Sequence, residues 1–180
     1  YITAGIGSHH DGEEFTFDYD LPNDLAYTET CASIGLVFWA AKMQQLDPKG
    51  DYADVIERPL YNGILSGISL DGNKYFYVNP LEVWPPACGR RIDKRHVKFE
   101  RQPWFGCACC PPNVTRLYCG VGQYFYGLGG DNLYVHQYAG SEAKIEIDGE
   151  EIIVQQNTNY PWDGKIEISL DLDKEQEFAV

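Results

Sequence analysis

Three cysteines fall within four positions, Cys107-Ala108-Cys109-Cys110, and Pro111-Pro112 follow at once. Far upstream, the run ETC places Glu29 two residues before Cys31. Together Glu29, Cys31, Cys109 and Cys110 offer three thiolates and a carboxylate, a donor set that suits tetrahedral zinc. The competing reading is a group of buried, inert thiols, although three cysteines in four positions is dense for that role. Adjacent Cys109 and Cys110 are poorly placed to bond each other. A chain this rich in core residues also folds without disulfide staples.

The residue before a proline avoids the α region, so Cys110 is expected to be extended with a helix starting after it. That helix would continue through Val114, Leu117, Tyr118, Val121 and Tyr124. The thiols then sit at the positive end of a helix dipole, a field that favours thiolate when joined by a metal. Glu29 and Cys31 fit less easily. Two residues on an ideal helix differ by about 200°, so both reach one ion only where the helix is distorted or frayed.

Acid–base candidates lie in GEEF, where Glu13 and Glu14 are adjacent in a glycine-flanked loop with Asp18 and Asp20 beyond. Neighbouring carboxylates oppose each other's ionisation, which suits a general acid, and a solvated loop is the bland alternative. Glu57 stands in an otherwise apolar helix and is read equally as functional or as a surface charge. His136, within LYVHQY, reads as a structural side chain.

These residues need elements to hold them. The first twenty residues read as a loop. Pro22-Asn23-Asp24 offers an N-cap for a helix over Leu25–Leu46, and a second helix runs over Tyr52–Ser69, kinked or divided by Pro59. Asp71-Gly72 makes a turn, and residues 75–81 form a short strand or extended segment. The basic run RRIDKRHVK at 90–98 reads as a solvated loop. From Asp131 the period changes: LYVHQY, AKIEID, EEIIVQQ and KIEISLDLD alternate as antiparallel strands do, with a boundary in GLGGDN. The fold class is therefore mainly α, then β.

The 180 residues carry 14 basic and 27 acidic side chains, a formal net charge of -13. That charge repels phosphate backbones and argues against nucleic acid as a partner. No apolar run approaches the ~20 residues of a membrane span, so no membrane partner is expected. The chain opens in YITAGIGS, which reads as the middle of a packed protein, and a piece of a longer one is expected.

GIGS, GEEFTFDYDLPND, YTETCAS, YADVIERPLYNGILSGISLDG, YFYVNPLE and WFGCACCPPNVTRLY together resemble glycoside hydrolase family 127, the bacterial β-L-arabinofuranosidases. The resemblance implies the closing part of a catalytic (α/α)6 barrel over 1–128 and the beginning of a β-sandwich over 129–180. It also implies a retaining hydrolase with zinc on Glu29, Cys31, Cys109 and Cys110, with Cys109 as the nucleophile and Glu13 as the acid/base. Glu14 stands where the family pattern has a small polar residue, so the choice of Glu13 rests on the alignment of GE. Glu57 and Tyr77 match sugar-contacting positions, and Cys107 is expected to support the ligands or the fold. Family histidines that touch substrate have no counterpart here. The expected partner is a small carbohydrate, with a homodimer formed through the β-domains. Reduced thiolates favour the cytoplasm. A carbohydrate-binding or structural zinc protein without catalysis, or a furanosidase of other specificity, is the alternative.

Overall fold

Apolar and small residues at 30, 33, 34, 37 and 40, with Gln44 beyond them, share one stripe of a 3.6-residue period, and that stripe is the buried face of helix α1, Thr30–Leu46. Asp47, which precedes Pro48, is extended and ends the helix. The structure, a computed structural model, describes residues 1–130, 132–147 and 149–172. It divides into two compact units, Tyr1–Gly120 and Val121–Val180. Asp131, Asp148 and residues 173–180, which the expected sheet region includes, lie outside the described residues.

Helix α1 starts five residues later than the periodicity predicts. Residues 26–29 are held instead by backbone partners from distant segments: the Thr28 N–H donates to Gly7 O, and Asn79 N–H donates to Thr28 O. Glu29 also forms a bridge with Val78. Asn23 and Asp24 cap no helix, since Asn23 O accepts from Glu82 N–H and Asp24 pairs with Lys94.

Helix α2, Gly50–Pro59, is shorter than expected because Pro59 divides the stretch, as its missing N–H requires. The chain continues as a π-helical turn over Leu60–Ile64 and a 3-10 turn over Leu65–Gly67. In that turn Gly63 N–H donates to Thr3 O at 3.0 Å, and a Cβ there would lie 2.7 Å from the same oxygen. Only glycine admits that approach.

Residues 75–81 are extended but form no strand. Tyr75 bridges Gln102, Phe76 N–H bonds Gly67 O, and Val78 bridges Glu29, so the partner changes at every step and no ladder propagates. The basic run departs further from expectation. It contains a 3-10 turn over Ile92–Lys94, and Lys94 and Val97 are buried rather than solvated.

Helix α3, Cys110–Cys119, begins at Cys110 itself. The break expected at Cys110 falls one residue earlier, at Cys109 (φ −113°, ψ −94°). The helix ends at Cys119, and Val121–Tyr124 is a separate 3-10 turn.

In the second unit, β1 (Tyr126–Gly129) pairs antiparallel with β2 (Asn132–Val135) across the run in which the boundary was expected. Gly130 supplies the left-handed backbone at its turn (φ 58°). Strands β3 (Ser141–Ile147), β4 (Glu150–Thr158) and β5 (Ile166–Leu172) form an antiparallel sheet in that order. Leu133, Ile147, Ile152 and Val154 make its core, with Tyr126, Ile145, Leu170 and Leu172 packed against them. His136 is structural: it stacks on Tyr134 at 5.8 Å, and its Nε2 occupies the space where a Gly127 Cβ would fall. Mainly α, then antiparallel β, is thus the order observed.

Candidate metal and catalytic centre

Two helix N-termini meet at the cysteines. Glu29 is the N-cap of α1 and Cys31 lies in its first turn, while Cys109 is the N-cap of α3 and Cys110 its first residue. Glu29 is extended (φ −64°, ψ 135°), so the helical-wheel objection to pairing it with Cys31 does not apply. Neither N-cap side chain caps its own helix. Both turn to the cluster, where the positive ends of two helix dipoles favour anionic ligands.

One ligand atom from each of Glu29, Cys31, Cys109 and Cys110 lies within 4.8 Å of the other three. Cys31 Sγ and Cys109 Sγ are 3.2 Å apart, and the thiols of Cys109 and Cys110 donate to Glu29 Oε1 at 3.5 and 3.7 Å. A tetrahedron with metal–sulfur bonds of about 2.3 Å has edges of about 3.8 Å. The donor set and the spacing therefore fit a tetrahedral cation.

Electrostatics point the same way. Hydrogen bonds from Cys110, and also from Asn113 and Cys109, pull the Cys31 thiol down to about 6 against the effect of burial. Cys109 is pushed up to about 11 by burial and by its charged neighbours, and Cys110 is raised by its hydrogen bond to Cys31 and by burial. Glu29 rises to about 7, through burial first and then through the neighbouring Glu13 carboxyl. Burial and crowding raise Cys109 and Cys110 where the helix dipole was expected to depress them: one thiolate suppresses the next, and a cation at their centre would remove that repulsion.

Backbone strain helps to build the site. Thr28, β-branched, sits at φ 40° immediately before Glu29. Its methyl lies where Gly5 has no Cβ, 2.8 Å from the position one would take. Thr30 N–H to Tyr77 O, at 2.9 Å, fixes the other side of Glu29.

Residues 1–123 match the family described as β-L-arabinofuranosidase, GH127 catalytic domain, and residues 132–180 match the GH127 middle domain. The chain belongs to glycoside hydrolase family 127. A non-reducing end β-L-arabinofuranosidase from Bifidobacterium longum subsp. longum is 47% identical over 174 residues, which is 96% of this chain and 26% of that protein. Among solved structures, a GH127 β-L-arabinofuranosidase from Geobacillus stearothermophilus superposes with a TM-score of 0.94 at 58% identity, over 99% of this chain and 28% of that one. A further GH127 β-arabinofuranosidase gives 0.85 at 44% identity, over 94% and 25%. The chain thus spans about a quarter of the length of these relatives.

Around the Glu29–cysteine cluster of this GH127 chain, Tyr77 and Glu13 both come within reach of its side chains. The Tyr77 hydroxyl lies by Cys109 and 3.9 Å from Cys107 Sγ, its ionisation opposed chiefly by burial. Cys107 is exposed. Glu13, also exposed, shares a hydrogen bond with Glu29, whereas Glu14 pairs with His9 Nδ1 at 2.9 Å. Glu57 lies in the last turn of α2, half-buried, and its charge acts on Tyr61. Among the described residues, no helix is long and apolar enough to cross a membrane.

Two neighbours escaped the sequence reading. Tyr27, pushed up to about 12 mainly by burial and then by Glu29 and Glu13, sits edge-on to Tyr77 at 6.4 Å. The Asn113 side chain bonds Cys31. Asn113 stands three residues after Cys110 in CPPN, one helical turn away, which is the signal that finds it.

Proposed function

We propose that this chain supplies the reacting groups of a retaining β-L-arabinofuranosidase, acting on a terminal arabinofuranosyl residue in a protein of its relatives' length. The observation that carries the reading is the convergence of Glu29, Cys31, Cys109 and Cys110 on one point with the Glu13 carboxyl beside it. The names of the relatives supply the sugar. Residues 1–128 are assigned to the closing part of an (α/α)6 barrel and residues 129–180 to the start of a β-sandwich.

Zinc is the cation the three-sulfur, one-oxygen set favours, and when bound it lowers the basicity of the sulfurs and makes thiolate a better leaving group. Cys109 attacks the anomeric carbon, and Glu13 protonates the departing glycosidic oxygen. In the second half Glu13, now a carboxylate, takes a proton from the incoming water while the Cys109 sulfur leaves carbon. Tyr77 and the other thiols hold Cys109 in place, and Tyr77 and Glu57 are assigned to sugar contacts.

The test is covalent trapping. A mechanism-based β-L-arabinofuranosyl inactivator, applied to the full-length protein, should label the peptide containing Cys109, as read by mass spectrometry. A label on Glu13 or Glu57 instead would refute the nucleophile assignment.

A further inference from the structure

The run Lys94-Arg95-His96 meets the chain between Asp11 and Glu29 at three points, one in the Glu13 loop and two on the stretch that follows it. Its own geometry is set by Lys94 N–H to Arg91 O (3.1 Å) and Val97 N–H to Lys94 O (3.2 Å). These turns aim Lys94 and Val97 inward, leaving them 5% and 2% exposed. Lys94 Nζ then pairs with Asp24, Arg95 pairs with Asp11, and the His96 ring stacks on Tyr27 at 5.5 Å with 12° between planes. Asp11 lies two residues before Glu13, while Asp24 and Tyr27 lie on the stretch leading from the loop to Glu29.

The contacts inside the loop are local: Ser8 with Thr16 at 3.0 Å, Thr16 with Asp20, and His9 with Glu14. They hold the loop to itself, while Thr28 N–H to Gly7 O anchors only its start. Lys94 is buried and its side chain reaches only as far as Asp24, so the pair ties Asp24 to a fixed point. The Arg95–Asp11 pair is solvent-exposed and contributes little stability, but it ties down a side chain two residues from Glu13.

We propose that Lys94, Arg95 and His96 form a positioning clamp that holds the Glu13 loop, and with it the Glu13 carboxyl, against the cysteine cluster. The proposal rests on Glu13 being the proton donor. Such a clamp matters because displacements of about 1 Å at a catalytic group cost on the order of a hundredfold in rate.

The experiment compares kcat/KM of the full-length protein on two β-L-arabinofuranosides. One has a nitrophenyl leaving group, which departs without a proton; the other has a methyl leaving group, which needs one. Lys94→Met should lower kcat/KM for the methyl glycoside about tenfold more than for the nitrophenyl glycoside, with bound metal unchanged by elemental analysis. Glu13→Gln, run alongside, should show the same asymmetry in larger measure. Equal losses on both substrates for Lys94→Met, or no loss on either, overturn the clamp while leaving Glu13 as the acid. Absence of the asymmetry in Glu13→Gln removes the acid assignment, and the clamp's purpose with it. If Lys94→Met does not fold, Arg95→Gln and Asp11→Asn, both at the exposed pair, carry the test. An asymmetry of about threefold is expected from them, and its absence overturns the proposal.

Discussion

In the sheet of Val121–Val180, Ile152 and Val154 are buried in the middle of β4 and face the core because alternation puts them there. In Tyr1–Gly120, by contrast, Glu29, Cys109 and Cys110 occupy the first positions of helices, where regular structure is just beginning and backbone donors are unpaired. Strand interiors deliver stability through a repeated pattern. Helix ends bring Glu29 and the cysteines together, because there a side chain can face along the axis toward a neighbouring helix end. The two regions should therefore fail differently when altered.

The largest effect belongs to the helix ends. Cys110→Ser in the full-length protein replaces a buried member of the Glu29–cysteine cluster at the start of α3. Metal affinity should fall by more than about a hundredfold, the upper end of what lost outer partners cost. Elemental analysis after dialysis should find the metal gone and turnover lost with it. Retention of metal and activity would show that the cluster is a packing accident. Ile152→Ala is the counterpart in the sheet: about 2–5 kcal/mol of stability by denaturant unfolding, with turnover per folded molecule unchanged. A change in turnover would break the comparison.

Gly63→Ala comes next and probes the margin of the first unit. Its Cβ would meet Thr3 backbone oxygen at 2.7 Å, and backbone cannot step aside as a flexible side chain would. A cost of about 1–3 kcal/mol is expected in thermal or denaturant unfolding. A neutral result would mean that the N-terminal segment yields to the new methyl group.

The same contrast explains what the sequence disclosed. Strands β2–β5 were readable because a period of two survives in Leu133 and Val135, Ile145 and Ile147, Ile152 and Val154, and Ile166 and Ile168 whatever the neighbours do. The donor set Glu29, Cys31, Cys109 and Cys110 was readable from residue type alone. What stayed hidden depended on pairing across long sequence separations. The late start of α1 follows from Gly7 and Asn79 binding Thr28, and the buried face of 90–98 follows from Asp24. Neither leaves a local pattern. β1 was missed because Tyr126-Gly-Leu-Gly is poor in strand formers and acquires its pairing only from β2.

The smallest effect tests whether charge alone distinguishes the regions. Lys144 and Glu151 pair across β3 and β4 at 3.0 Å, with side chains 65% and 61% exposed. Lys94 and Asp24 are the same kind of pair, but there the lysine is buried and has no water to fall back on. Lys144→Ala should cost less than about 0.5 kcal/mol in denaturant unfolding, and raising salt should erase even that, because water and ions solvate both charges once they part. A larger, salt-insensitive loss would mean that the stem of Lys144 covers apolar surface on the sheet. The sheet would then draw on a side chain's body as well as on alternation, and the line between a patterned interior and a chemically active margin would have to be redrawn by burial rather than by position along an element.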